Sequence, residues 1–178
     1  MMLPAIRTVP GGLPMTKLMI RAATADDFSD LVALSEIWHR DCEIYGEFDP
    51  VRVAKSLERV LALTEQIAIV AEDRGELAGM LVGLAVERWF SAERAAQILV
   101  FVVRPEYRGG NVADRILAEF QAQAIQRGAY IAEVSMLAGF GFAAARHALN
   151  RADFYPVGNY WAWSAADHLV DGAKGGRH

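Results

Sequence analysis

The chain has 178 residues, 53% of them apolar and 22% charged, and a formal net charge of −4. This composition gives room for one real core and is ordinary for a compact globule. It argues against nucleic acid, whose binders carry a basic patch or stripe. Cys42 is the only cysteine and the histidines are scattered, so neither an internal disulfide nor a metal site is expected. No apolar run reaches the ~18 residues of a membrane span, and the N-terminus lacks a basic start with an apolar h-region. A cytoplasmic, reduced protein with no membrane attachment is expected. Residues 1–17, broken by Pro4, Pro10, Gly11, Gly12 and Pro14, read as an irregular arm. They precede one domain over residues 18–164, and residues 165–178 read as a tail that frays. Within the domain, Leu18 to Ala22 is a short strand. Thr24 then caps a helix whose first turn carries Asp26 and Asp27 and whose apolar side carries Phe28, Leu31, Leu34 and Trp38, to about Arg40. Asp41 to Asp49 is a loop. Asp49-Pro50 opens a second helix with a capping carboxylate and a proline at N1, and Val53, Leu57, Val60 and Leu61 form its apolar face. Gln66 to Glu72 is a strand, Asp73-Arg74-Gly75-Glu76 a tight turn, and Leu77 to Phe90 a long partner strand. Ser91 to Ala95 links it to the next strand.

Ile98 to Val103 is an unbroken apolar, β-branched run, the pattern of a strand covered on both faces. Pro105 stops it, because proline lacks the N–H that a central strand donates. Arg108-Gly109-Gly110-Asn111 turns the chain. Val112, Ile116, Phe120 and Ala124 then recur at helical spacing as far as Gly128, a C′ glycine. A helix that opens on a glycine pair presents free backbone N–H groups and a positive dipole end, which is a cradle for phosphate. Here Arg108 would supply charge, and a bulky residue at Gly110 would crowd the anion and strain any positive φ. Asn111-Val112 stands where a P-loop needs Lys-Ser/Thr, and Gly109-Gly110 lacks dinucleotide-fingerprint spacing. Further on come a strand near Tyr130 to Met136, a helix from about Phe142 to Asn150, and strands within Phe154 to Trp163.

Arg108, Asn111 and Ala113 occupy the first, fourth and sixth places of Gln/Arg-x-x-Gly-x-Gly/Ala, behind a Val-x-Pro-x-Tyr lead-in at Val103 to Tyr107. In this the chain resembles the GNAT-type N-acetyltransferase superfamily. Asn111 departs from the usual glycine, and asparagine tolerates positive φ better than other non-glycine residues. The resemblance implies an α/β fold with a mixed, twisted sheet of six to seven strands, helices on both faces, and central strands that splay. It implies acetyl-CoA as cosubstrate and no metal. Phe101 and Val103 would offer main-chain groups to the pantetheine arm. Backbone N–H groups from Arg108 through Gly109, Gly110, Asn111 and Val112 to Ala113 would hold the pyrophosphate. A homodimer is common among such proteins.

The implied activity is direct N-acyl transfer to a primary amine of a small molecule or peptide. It calls for a proton acceptor, oxyanion donors near Val102 or Val103, and an acid for the thiolate. The superfamily's usual tyrosine and asparagine fall on Leu149 and Phe142 when Asp153-Phe154 is aligned with its Gly-Phe pair. The fourth-strand glutamate of many relatives is absent, and Gln97 at that strand's start cannot accept a proton. Glu133, on one face of its strand with Ile131 and Ser135, is the candidate base, and nearby Tyr155 the candidate acid. Glu43, Tyr45 and Glu47 in one loop, with Trp89 beside Glu87 and Phe90, make an acid-plus-aromatic set suited to a cationic acceptor. The alternative is a CoA-binding domain of this fold with weak or no transferase activity and a structural, regulatory or interaction role.

Overall fold

The computed structural model describes residues 18–42, 46–134 and 142–157. The expected N-terminal arm and C-terminal tail, Glu43 and Tyr45, and residues 158–163 of the strands expected within Phe154 to Trp163 lie outside these residues; Phe154 to Val157, the described part of that range, is not strand. In chain order the elements are β1 (Met19–Ala22), α1 (Phe28–Cys42), α2 (Pro50–Leu61), β2 (Gln66–Asp73), β3 (Glu76–Arg88), β4 (Ser91–Val103), α3 (Val112–Gln126), β5 (Ala129–Val134) and α4 (Phe142–Arg151). A 3₁₀ turn at Ala25–Asp27 leads into α1, and another at Pro105–Tyr107 follows β4. Thr24 N–H donates to Asp27 Oδ2 at 2.7 Å, and Arg21 grips the same buried carboxylate through both its terminal nitrogens. That guanidinium holds the Asp27 carboxyl down at about 2. At α2, Asp49 Oδ1 accepts from Arg52 N–H at 3.0 Å, the expected cap. Among the described residues no helix is long and apolar enough to cross a membrane.

Among the described residues five strands lie in the order β1-β2-β3-β4-β5, antiparallel except for the parallel β4–β5 pair. One core cluster lies between the sheet and α3, built on Ile67, Leu81, Ile98, Ile116, Leu117 and Phe120, with Ala148 and Leu149 of α4. The other lies under α1 and α2, built on Leu31, Leu34, Leu57, Met80, Val82 and Val102. Helices therefore cover both faces. Gly79 and Gly83 let α3 sit close: a Cβ on Gly83 would lie 2.5 Å from Gln97 O and 2.9 Å from Phe120 Cε2.

The expected connection at Ser91 to Ala95 is strand instead. β4 begins at Ser91, and only Trp89 and Phe90 form the hairpin turn. The hairpin runs on past the last β2–β3 pair, Gln66–Leu84, so this stretch is partly solvated and its polar residues imitate a loop.

α4 ends in a Schellman cap. Asp153 adopts φ 61°, its N–H donates to Asn150 O, and Phe154 N–H donates to Leu149 O at 2.9 Å. An aspartate there carries left-handed strain and a negative charge at the dipole's negative end. Asp153→Gly is therefore expected to stabilise the protein by about 0.5–1 kcal/mol. In thermal melts Tm should rise by roughly 2 °C, and a fall would mean that the carboxylate has a favourable partner.

Candidate active site

Among the described residues the last β4–β5 pair is Ile98–Val134, and β4 continues to Val103; the expected fork of the central strands would open here. A bulge lies next to this point: Val82 pairs with Val100 but Gly83 with Ile98, which leaves Leu99 without a β3 partner. Main-chain direction then follows from one bond. Arg104 N–H donates to Ala78 O at 2.9 Å, toward β3. Alternation turns the N–H and C=O groups of Phe101 and Val103 the opposite way, away from β3 and toward the expected fork. Their side chains meanwhile pack against the α3 cluster.

At the end of the fork lies the glycine turn. Gly109 takes φ 80°, a conformation open to glycine at no steric cost, whereas Gly110 has no positive φ and Asn111 sits at φ −97°. The positive-φ strain expected at Gly110 therefore belongs to Gly109. Asn111 needs no left-handed tolerance, so its place in a glycine position costs the backbone nothing. Asn111 is the N-cap of α3, and its side chain makes no capping bond. The first intrahelical bond runs from Arg115 N–H to Asn111 O. The N–H groups of Val112, Ala113 and Asp114 consequently have no partner within the helix, as in any first turn. Arg108 N–H, also expected in the cradle, is spent on Pro105 O at 3.2 Å. The one carboxylate in this turn, Asp114, is offset by Arg151 of α4, whose Nη2 donates to Asp114 Oδ1 at 2.6 Å. The residues present thus fit a pyrophosphate with open backbone donors and balanced charge.

Three braces hold the turn. Tyr107 OH donates to the buried Asp73 at 3.3 Å, and burial, with Asp73 second, pushes the phenol's pKa up. Arg104 Nε donates to Leu77 O at 2.6 Å. Arg108 Nε donates to Val103 O at 2.9 Å while its Nη2 donates to Asp41 Oδ2 at 2.6 Å. The last partner, on α1, carries no signal in the sequence.

The other named residues divide. Ala132 and Val134 pack on the α3 cluster, so alternation puts Glu133 on the opposite sheet face, in register with Gln97 just below the fork. Glu133 Oε1 is ion-paired with Arg88 Nη2, a pairing that raises the guanidinium's pKa. Tyr155 is exposed, and Leu149 is core. Burial, then Asp41, raises the Cys42 thiol, the reverse of what an activated nucleophile needs. Glu47 follows Gly46, whose carbonyl oxygen lies 2.7 Å from His39 Nε2 on α1. Trp89, 94% exposed, sits in the hairpin turn against Phe90. Because α1 ends at Arg108 near Val103, Glu47 and Trp89 lie toward opposite ends of β4. The 13 residues of that strand span roughly 40 Å when extended. The structure does not bring them into one cluster.

A model of the acetyltransferase (GNAT) family matches residues 31–154. No curated protein matches the chain by sequence. Among solved structures, a predicted acetyltransferase with acetyl-CoA from Clostridium acetobutylicum superposes with TM-score 0.69 at 16% identity, over 83% of this chain and 96% of that one. The aminoglycoside N-acetyltransferase AAC(6')-Iy in complex with CoA gives TM-score 0.71 at 12% identity, over 88% and 98%. A transcriptional regulator from Bacillus halodurans gives 0.68 at 18% identity, over 83% and 99%. At these identities the likeness is one of fold.

Proposed function

We propose that this chain, a member of the GNAT acetyltransferase family, transfers an acetyl group from acetyl-CoA directly to a primary amine of a small molecule or peptide. The backbone of β4 carries this reading: the Arg104–Ala78 bond and strand alternation turn the main-chain groups of Phe101 and the Val103 N–H away from β3, and the α3 that follows opens without a side-chain cap. A pantetheine arm can add there as a strand would, with its pyrophosphate over Gly109 to Ala113. Acetyl-CoA supplies an acetyl group activated as a thioester. The chain's residues supply the rest. Val103 N–H, turned into the fork, is the donor aimed at the thioester oxygen, whereas Val102 N–H points toward β3. Glu133, beside Gln97 below the fork, draws the acceptor's ammonium and takes its proton. Tyr155 is the donor for the departing thiolate if the acceptor brings it near. A CoA thiolate with a pKa near the ~8.5 of free cysteine can also leave with help from water.

The carboxylates Glu47 and Glu133 suit a cationic acceptor, so aminoglycosides, the class named for one structural neighbour, belong in the acceptor panel beside diamines and lysine peptides. Calorimetry should detect acetyl-CoA binding, and a thiol-release assay should detect turnover with some member of the panel. The rate should rise steadily to about pH 9, because an amine near ~10.4 is almost wholly protonated at pH 7. Glu133→Gln should lower the rate mainly below that pH. A bell centred near pH 7 would point to a tuned acid–base pair elsewhere. Failure to bind acetyl-CoA would end the reading. Binding without turnover would favour the second one, a CoA-binding domain with a regulatory or interaction role. That second reading draws support from the burial of Leu149 where the superfamily's acid usually stands.

A further inference from the structure

We infer that Asp41 is a positioning residue for the acetyl-CoA cradle and acts through Arg108; this rests on the cofactor reading above. Sequence places Asp41 at the head of the segment expected to meet the acceptor. Structure joins it instead to the cofactor loop, 67 residues away, by a 2.6 Å bond from Arg108 Nη2 to Asp41 Oδ2. The other arm of the same guanidinium, Nε, lies 2.9 Å from Val103 O, the carbonyl that faces the fork. One side chain therefore ties the end of α1, the end of β4 and the start of the glycine turn. Both members of the ion pair are about two-thirds buried, at 32% and 29% exposure, so water screens the contact only in part. An arginine has many rotamers. Anchored at both ends it holds the turn in one conformation before any ligand arrives, and freed at one end it does not.

An opposing effect needs weighing. A carboxylate near a pyrophosphate repels it, and its removal would on that ground alone tighten binding. The repulsion acts at longer range and is screened over ~8 Å at physiological salt. The Arg108 contact is direct and charge-assisted, so the positioning effect wins.

The test is a double-mutant cycle on CoA affinity, measured by calorimetry, in wild type, Asp41→Asn, Arg108→Gln and the double variant. Asp41→Asn should weaken CoA binding about 5–10-fold in the wild-type background and less than about twofold once Arg108 is glutamine. With acetyl-CoA as varied substrate, its KM should rise in Asp41→Asn while kcat changes by less than about twofold, and Asp41→Glu should recover part of the loss. A merely structural role would not confine the effect to one KM or make it vanish in the Arg108→Gln background. Equal weakening in both backgrounds, or unchanged or tighter binding in Asp41→Asn, would overturn the inference and leave the cofactor reading standing. Wild type that binds no CoA would overturn both.

Discussion

Gly83→Val is expected to unfold the protein or to destabilise it by about 4 kcal/mol or more, beyond the ~1–3 kcal/mol typical of overpacking. The added Cβ alone would stand 2.5 Å from Gln97 O and 2.9 Å from Phe120 Cε2, and the first of these is backbone in a paired strand that cannot move aside. Valine's methyl groups would then push on Phe120, which is fully buried at the centre of the α3 face. Displacing Phe120 displaces α3 and with it the first turn beside the fork. Gly46→Ala, at a glycine with nothing within 4 Å, is the control and should leave stability within about 0.5 kcal/mol of wild type. Urea unfolding followed by circular dichroism reads both. A Gly83→Val protein as stable as wild type would mean that α3 does not press on β3 as described.

Gly109→Val should produce the largest loss of cofactor affinity among single substitutions in the glycine turn. A β-branched residue at φ 80° carries left-handed strain of ~1–2 kcal/mol or more. No atom lies within 4 Å of the position where its Cβ would go, so the fold itself survives. The strain is relieved by moving the turn, which takes its N–H groups off the ligand. Acetyl-CoA affinity should fall at least about 30-fold. Gly110→Ala should bind within about threefold of wild type, because its Cβ meets only Tyr107 O at 3.5 Å, an ordinary contact. Calorimetry on the two variants decides. Equal losses at both glycines would sink the assignment of the critical conformation to Gly109.

Much of this architecture was legible because it is written locally. The Asp49-Pro50 helix start, the turn at Gly75, the strand ending at Pro105 and the stop at Gly128 are each settled by backbone chemistry within a few residues. What escaped is non-local or concerns one dihedral angle. Ser91 to Ala95 reads as a connection because its first residues are mostly polar and largely exposed, and pairing with β3 and, from Arg94 on, with β5 makes it strand. Neighbouring glycines look alike in sequence, so which of Gly109 and Gly110 bears the positive φ depends on how the turn meets α3. Arg108 was visible as a cation beside glycines, but its partners on α1 and β4 are set by tertiary packing. The same limit joined Glu47 and Trp89 into one acceptor set, since similar composition does not say which end of a strand a residue occupies.

The outward turn of the Phe101 and Val103 main chain has an evolutionary consequence. A groove written in peptide groups is nearly indifferent to side-chain identity, and among common substitutions only proline deletes its donor. Random change at these positions is therefore filtered by packing against α3 and hardly at all by ligand recognition. On the proposed reading, recognition at the other end of the reaction rests on side chains such as Glu47 and Glu133, each of which a single codon change can remove. The two halves of such a site drift at different speeds, so a lineage can exchange one acceptor for another while the groove that holds the donor stays as it was.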